Sequence, residues 1–292
     1  EPKASVLVTK AMLQDIDALE STIANSGLNT PVGERSYHGL TRGWMVSAVL
    51  RRVDTKQRTL GAFLRDEIDE PLGTTYLCGI PEAEQARHDL AKLVQPSPLY
   101  NLPCEVIPAM LGFGDPALAA LFGIIKEKGN PMNVPAVDWM GGFRPAFNNS
   151  PQGRAAEIPS AGMYTNARSM AKVNACMANG GSFDNVRIMS EKACADSMAF
   201  ATAKPDKALK WVVSFSQGGF ADFGQVSGAA FDPSIRKFCS GFFGWGGWGG
   251  SLSLWNPEKR IALSYTMTGM SNHVFGGPRG KNVLGPLASI IS

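Results

Sequence analysis

Five glycines fall within the eight residues Gly244-Trp245-Gly246-Gly247-Trp248-Gly249-Gly250-Ser251, and the run leads directly into Leu252-Ser253-Leu254-Trp255. Glycine weakens a strand, and it is used there where the backbone bends or where a ligand or second backbone comes close. A strand of this kind can offer its N–H groups to a substrate carbonyl. The run also contains a G-x-G-x-x-G match from Gly244 to Gly249. A dinucleotide fingerprint has to follow a strand and open a helix. Here period-2 alternation follows, then the turn Asn256-Pro257-Glu258-Lys259, then alternation at Ile261, Leu263, Tyr265 and Met267. That is a β-hairpin pattern, and it rejects nucleotide binding. Two readings stay open for the run itself: a glycine-rich bend without function, and a strand built for close approach.

The 292 residues are 44% hydrophobic and 18% charged, enough chain of ordinary composition for a full core in one or two domains. Twenty-eight basic residues against 25 acidic ones leave a net charge of +3. No block of like charge stands out, and Arg51-Arg52 reads as a solvated helix face. Composition therefore gives no case for nucleic acid as a partner. No run approaches the ~18–20 apolar residues that cross a bilayer, so no membrane span is expected. There is no N-terminal signal pattern. The chain opens Glu1-Pro2-Lys3 without Met, which leaves open that the natural N-terminus has been removed.

Cys78, Cys104, Cys176, Cys194 and Cys239 form no C-x-x-C pair, and their number is odd. This favours reduced, mostly buried thiols in a reducing intracellular compartment, with one or two disulfides in a secreted protein as the alternative. His38, His88 and His273 lack the spacing of a histidine-built metal site. No metal or cofactor is expected.

Along the chain, a helix is predicted over about Ser5–Ile23, followed by the polar turn Asn29-Thr30-Pro31-Val32-Gly33. From Trp44, the residues Met45, Val46, Val49, Leu50 and Val53 mark the apolar face of an amphipathic helix. A second helix from Thr59 buries Leu60, Phe63, Leu64 and Ile68 and stops at Glu70-Pro71-Leu72-Gly73. Twelve of the 19 prolines lie between Pro71 and Pro159. Proline breaks regular elements, so this zone reads as ordered loops with short helices near Pro81–Val94 and Pro116–Lys128. Thr165 is expected to cap a helix with Met170, Val173 and Met177 on its apolar face, ended by Asn179-Gly180-Gly181. A further helix begins near Ser190. Antiparallel strands follow over Lys210–Ser216, over Lys237–Phe243 continuing through Gly244–Trp255, and over Arg260–Thr268, and a helix over Lys281–Ile291 closes the chain. Helices first and antiparallel strands last give an α+β class: an antiparallel sheet flanked by helices, plus a helical, loop-rich region. The expected organisation is a single domain over 1–292, with 1–209 mainly helical and loop and 210–292 carrying the strands and last helix.

Three segments then combine: Tyr37-His38-Gly39-Leu40-Thr41-Arg42-Gly43-Trp44; Glu157-Ile158-Pro159-Ser160-Ala161-Gly162 running on through Ala167-Arg168 to Gly181; and Gly244 to Ser251 with its hairpin. In this order they resemble the β-lactamase-related serine hydrolases, a superfamily of class C β-lactamases, D-Ala-D-Ala peptidases and carboxylesterases. The resemblance covers roughly residues 25–290. It implies a β-lactamase/transpeptidase-like fold and acyl transfer to a serine in S-x-x-K at a helix start. It also implies a tyrosine that helps activate that serine, and a Lys or His followed by a small residue and glycine on a strand, whose next N–H completes an oxyanion hole.

Carried onto this chain, the resemblance makes Tyr37 the catalytic tyrosine and Trp248 the oxyanion donor through its N–H. Trp245, Gly246 and Gly247 become the substrate-binding strand. A phenol titrates near ~10, so Tyr37 needs a neighbouring cation to act as base. Gly39 stands where the lactamases carry Asn, which argues against a lactamase more than against hydrolysis. Trp245 replaces the Lys or His, and an indole is uncharged with one N–H. Only 36 residues precede Tyr37, and none reads S-x-x-K. The two matches elsewhere, Ser169-Met170-Ala171-Lys172 and Ser234-Ile235-Arg236-Lys237, read as chance occurrences.

Two readings follow. In one, the chain is an N-terminally incomplete serine hydrolase acting on a small-molecule ester or amide. Its serine then lies outside these residues, and the sheet is left with an unpaired edge. In the other, it is a catalytically inactive member that binds a ligand or assembles as a homo-oligomer, with Trp245, Trp248 and Trp255 either interface anchors or core.

Overall fold

The computed structural model describes residues 8–28, 30–97, 99, 102–111, 145–199, 202–226, 238–273 and 275–291. The chain divides into two compact units. The first comprises Glu1–Leu93, Glu127–Thr165 and Lys207–Leu209; the second comprises Val94–Lys126, Asn166–Asp206 and Lys210–Ser292.

The first unit packs around Val8, Leu13, Leu19, Trp44, Ala156 and Ile158. The helix expected over Ser5–Ile23 is broken: a 3₁₀ turn, Ala11–Gln14, precedes α1 (Ile16–Ala24), and residues 1–7 lie outside the described residues. The break falls at Asp15, whose carboxylate accepts from Ala18 N–H at 3.0 Å. A carboxylate that can satisfy an orphan N–H starts a new helix rather than continuing an old one.

Helix α2 (Thr41–Val53) forms where the periodicity placed it, but its inward face differs. Trp44 and Ser47 are buried, whereas Met45, Val46, Val49 and Val53 are 38%, 50%, 60% and 71% exposed. The Trp44 ring is the largest apolar group on the helix, and its indole N–H donates to Glu157 O at 2.9 Å. That one side chain sets the helix rotation, so the aliphatic stripe faces outward. Arg51 and Arg52 are also more than a solvated face, because both pair with Glu20 of α1, at 2.9 and 2.8 Å.

Then come α3 (Leu60–Leu64), a π-helical turn (Arg65–Asp69) and α4 (Glu70–Leu72). They end at Gly73, whose φ of 59° is the left-handed stop that glycine tolerates. β1 (Tyr76–Cys78) pairs antiparallel with β2 (Met163–Thr165). The helix expected near Pro81–Val94 contracts to one turn, Glu82–Gln85. The one expected over Pro116–Lys128 lies outside the described residues.

The second unit carries a six-stranded antiparallel sheet in the order β10-β9-β8-β7-β6-β5. Its strands are β5 (Thr202–Pro205), β6 (Val212–Phe215), β7 (Ala221–Asp222), β8 (Phe243–Gly246), β9 (Leu252–Asn256) and β10 (Ile261–Tyr265). A two-stranded ribbon, β3 (Ser182–Phe183) with β4 (Val186–Arg187), stands apart from it. Among the described residues β10 is an outer strand. α5 (Ala167–Ala178) packs on β9 and β10. The buried Asn174 fixes that docking: its amide donates to Leu263 O and Ser264 Oγ, and its Oδ1 accepts from Ser253 Oγ. The cap of α5 is Asn166, not Thr165, which is held in β2; Asn166 Oδ1 accepts from Ser169 N–H at 2.9 Å. The stop at Asn179-Gly180-Gly181 is a Schellman turn, with Gly181 N–H donating to Cys176 O at 2.7 Å.

α6 (Glu191–Met198) begins at Ser190, and the last helix, α7 (Gly277–Ile291), starts one turn earlier than expected. Trp255 is buried with Met177, Ala178 and Cys194, so it is a core residue rather than an interface anchor. The architecture is α+β. Among the described residues, no helix is long and apolar enough to cross a membrane.

The reversed face of α2 gives a stability contrast. Trp44→Ala should cost about 3–5 kcal/mol, whereas Val49→Asp should change stability by no more than about 0.5 kcal/mol, both read by urea denaturation of this chain. A large loss in Val49→Asp would mean that the stripe is buried.

Candidate active site

In the second unit the glycine run is not one continuous strand. β8 ends at Gly246, the chain turns through Gly247–Gly250, and β9 returns with Gly246 opposite Leu252. Gly247 N–H donates to Ser251 O at 3.0 Å, and Gly250 N–H closes the turn on Gly247 O at 3.1 Å. Trp248 and Gly249 are the central residues, and Gly249 has φ 93°, as the third position of a type II turn requires. The expectation of a single strand from Gly244 to Trp255 is thus corrected. Alternation continues on both sides of the run, but two consecutive positive-φ glycines, Gly249 and Gly250, turn the chain back.

The turn is stapled to the segment that follows β10. Gly249 N–H donates to His273 O at 3.0 Å, Ser271 N–H and Oγ donate to Gly249 O, and His273 N–H donates to Ser271 Oγ. On β8, Gly246 lies against Phe275: a Cβ there would come 2.5 Å from Phe275 Cδ1 and 3.0 Å from its Cα. The neighbouring Trp245 is half-buried in an aromatic cluster. Its ring meets Phe275 edge-on at 5.0 Å and Phe223 edge-on at 6.5 Å, and lies tilted against Phe215 at 5.2 Å. Edge-to-face pairs of this kind contribute about 0.5–1.5 kcal/mol beyond burial. Trp245, Gly246, Gly247 and Trp248 are therefore brought together on one strand end and its turn, with an apolar surface where a charged side chain was the family expectation.

Tyr37 belongs to the first unit. It is half-buried and stands four residues before α2, where its ring lies over Gly39: a Cβ on Gly39 would sit 3.5 Å from Tyr37 Cε1. His38 Nδ1 and Thr41 Oγ1 are 2.9 Å apart. Beneath this turn runs the Glu157–Gly162 segment. Glu157 Oε1 accepts from Gly61 N–H at 3.3 Å, at the start of α3. Burial pushes the Glu157 carboxyl above its ordinary value, against the opposing pull of the Thr59 hydroxyl and the Gly61 and Leu60 amides. In the sequence this segment stands out only as part of a motif. Its polar roles depend on partners about a hundred residues away, which no local spacing reveals.

Other nucleophiles fare poorly. Ser169 is 5% exposed and its N–H is committed to Asn166. Ser234 lies outside the described residues. All five cysteines are free, and four are buried. Burial pushes the Cys78 and Cys239 thiols up to about 12 and Cys176 to about 11, far from the thiolate a nucleophile needs. Among the described residues, no group of three or more His, Cys, Asp or Glu could hold a metal ion.

Against known proteins, the family model described as Beta-lactamase matches residues 4–285. The chain is 28% identical over 266 residues to the esterase/beta-lactamase LipL of Mycobacterium tuberculosis, covering 88% of this chain and 53% of LipL. It thus spans about half the length of that curated relative. A crystal structure of a family VIII carboxylesterase superposes with TM-score 0.72 at 25% identity, over 100% of this chain and 67% of the other. EstA from Arthrobacter nitroguajacolicus shares the fold, with TM-score 0.69 at 20% identity, over 99% of this chain and 70% of that one.

Two measurements probe this geometry. Gly246→Ala should overpack Phe275 and cost about 1–3 kcal/mol, seen as a lower urea midpoint with altered tryptophan fluorescence. An unchanged midpoint would mean that β8 and Phe275 are not in contact. Glu157 provides a pH test. Because its folded pKa is raised, its contribution to stability is fully present below the unfolded pKa and is lost as pH rises through the folded one. Glu157→Gln should therefore gain stability relative to the wild type as the pH rises above the ordinary glutamate value of about 4.3. A difference that stays flat with pH would contradict the assigned burial.

Proposed function

The chain belongs to the Beta-lactamase family, and on that premise we propose that the protein hydrolyses esters or amides of neutral acyl groups through an acyl-enzyme. The nucleophilic serine of this reading lies outside these 292 residues. Tyr37 is the base that takes up the proton of the serine hydroxyl, and Trp248 N–H is an oxyanion donor. Gly246 and Gly247 let the substrate approach the strand, and Trp245 is the apolar wall against its acyl group.

The observation that carries this reading is Trp245 itself. Its ring packs among Phe215, Phe223 and Phe275 at the end of a strand whose next two residues are glycines. An indole gives a substrate carboxylate no ion pair, so an uncharged acyl group suits it better. The esterase-type relatives agree in direction. The buried, capped Ser169 supports a serine from elsewhere.

A second reading, a member that binds its ligand or another copy without hydrolysing it, draws on the same Trp245, because the charge that helps activate the family's nucleophile is absent. The two readings separate on the natural full-length protein. Intact mass with and without a fluorophosphonate probe should show a mass above the 31.2 kDa of this chain and one adduct. A short-chain 4-nitrophenyl ester should be turned over, and Tyr37→Phe should lower kcat by about 10²–10⁴-fold, as loss of a general base does. A full-length coding sequence without an S-x-x-K upstream of Tyr37, or a protein with neither adduct nor turnover, would sink the hydrolase reading. Self-assembly would then be tested by whether Trp248→Ala changes the oligomeric state.

A further inference from the structure

The segment Glu157–Ser160 makes three contacts with the first turn of α2, and none of them is part of the function proposed above. α2 starts at an unfavourable residue. Its N-cap is Leu40, which has no side-chain oxygen and makes no side-chain cap. The first N–H groups of a helix need a partner, and Ser, Thr, Asp or Asn at the cap is the usual one.

Gly43 N–H reaches Leu40 O at 3.2 Å, and a second, side-chain oxygen comes from 117 residues away. Ser160 Oγ accepts from Gly43 N–H at 3.1 Å and donates to Leu40 O at 3.1 Å. One hydroxyl thus bridges the cap residue and the third residue of the helix. One residue further on, Trp44 Nε1 donates to Glu157 O at 2.9 Å. Between these two bonds the backbones touch. A Cβ on Gly43 would sit 2.5 Å from Ser160 Oγ, 2.8 Å from Ser160 N and 2.9 Å from Pro159 Cβ.

The clamping segment is itself fixed. Ala156 and Ile158 are fully buried in the core that holds Trp44. Ala161 and Gly162 N–H both donate to Ile158 O. The Glu157 side chain is held at the start of α3.

Tyr37 is coupled to this turn at short range. Its ring rests on Gly39, and His38 Nδ1 lies 2.9 Å from Thr41 Oγ1. We propose that the Glu157–Ser160 segment is a tertiary helix cap that positions Tyr37, with Ser160 and Gly43 as its positioning residues. This rests on the reading of Tyr37 as the base.

Two variants separate positioning from simple stabilisation. Ser160→Ala removes the bridging hydroxyl. Gly43→Ala strengthens the isolated helix, since alanine is the better helix former, yet pushes the Ser160 backbone away. A role confined to helix stability predicts opposite effects on activity; a clamp predicts the same effect. In the full-length protein both variants should lower kcat for a short-chain 4-nitrophenyl ester at least about tenfold, the loss that follows from a small misplacement of a reacting group. KM should stay within about twofold, because ground-state binding is untouched.

An independent readout is nitration of Tyr37 by tetranitromethane, resolved by peptide mass. Its rate should change severalfold in both variants while Tyr76, Tyr164 and Tyr265 keep theirs. Ser160→Cys, of similar size but a weak hydrogen-bonding group, replaces Ser160→Ala if that variant fails to fold. Unchanged kcat and unchanged Tyr37 nitration in folded variants would overturn the clamp. If the wild type turns over no ester, nitration alone decides: a changed rate upholds the clamp while the hydrolase reading falls, and an unchanged rate ends both.

Discussion

The second unit depends on one close approach, where β8 runs against β9 without a side chain between the backbones at Gly244. Any Cβ there would fall inside the envelope of Ser253 O, and the φ of 139° at Gly244 is one that residues with a side chain rarely adopt. Because the strands close to this distance, Gly246 can lie on Phe275, and Trp245 can turn its ring into the Phe215, Phe223 and Phe275 cluster. The turn that follows then comes within hydrogen-bonding reach of Ser271 and His273. Removing the glycines would not merely loosen a loop. It would separate the two strands that carry the aromatic wall and its turn.

The first unit uses the same device on helices. Gly43 lets the Pro159-Ser160 backbone reach the first turn of α2, and Gly61 lets α3 come up to Cys78 and the Glu157 carboxylate. In both units the missing Cβ matters for space, and polar groups then fix what the space permits. Ser160 does this at α2, and Asn174 does it between α5 and the two strands beneath it. A hydrogen bond contributes only about 1 kcal/mol net, but it is directional. It selects one docking geometry from the several that apolar packing alone would tolerate.

Periodicity made the longer elements legible: α2, α5, α6 and the β9–β10 hairpin lie where the pattern put them. It did not make their orientation legible. On α2 the aliphatic count favoured the Met45–Val53 stripe, yet one tryptophan with a partnered indole N–H outweighed four smaller side chains. β1 to β5 and β7 leave no signal in the sequence, because strands of two to four residues rarely display a period. The glycine run was recognised, but its reversal was not. Whether glycine marks a bend within a strand or the turn between two depends on φ, and the letters do not carry φ. Tyr37, Trp245 and Trp248 were nominated from resemblance, whereas Ser160 could not be, because a cap supplied from 117 residues away leaves no local signature.

On the proposed assignment of Trp245 to the substrate strand, an uncharged indole changes what the remaining groups have to do. Where a Lys or His stands on the strand, its field can help lower the cost of making an oxyanion and a serine nucleophile. Without it, stabilisation of developing charge falls on backbone donors, whose effect depends on where they point rather than on what they carry. Such donors contribute only when the reacting atom is held close to its ideal position. On that assignment, an apolar wall in place of a charged side chain makes the chemistry depend more heavily on the rigidity of the frame. Within the second unit, the contact of β8 on β9 at Gly244 supplies such rigidity next to the turn that carries Trp248.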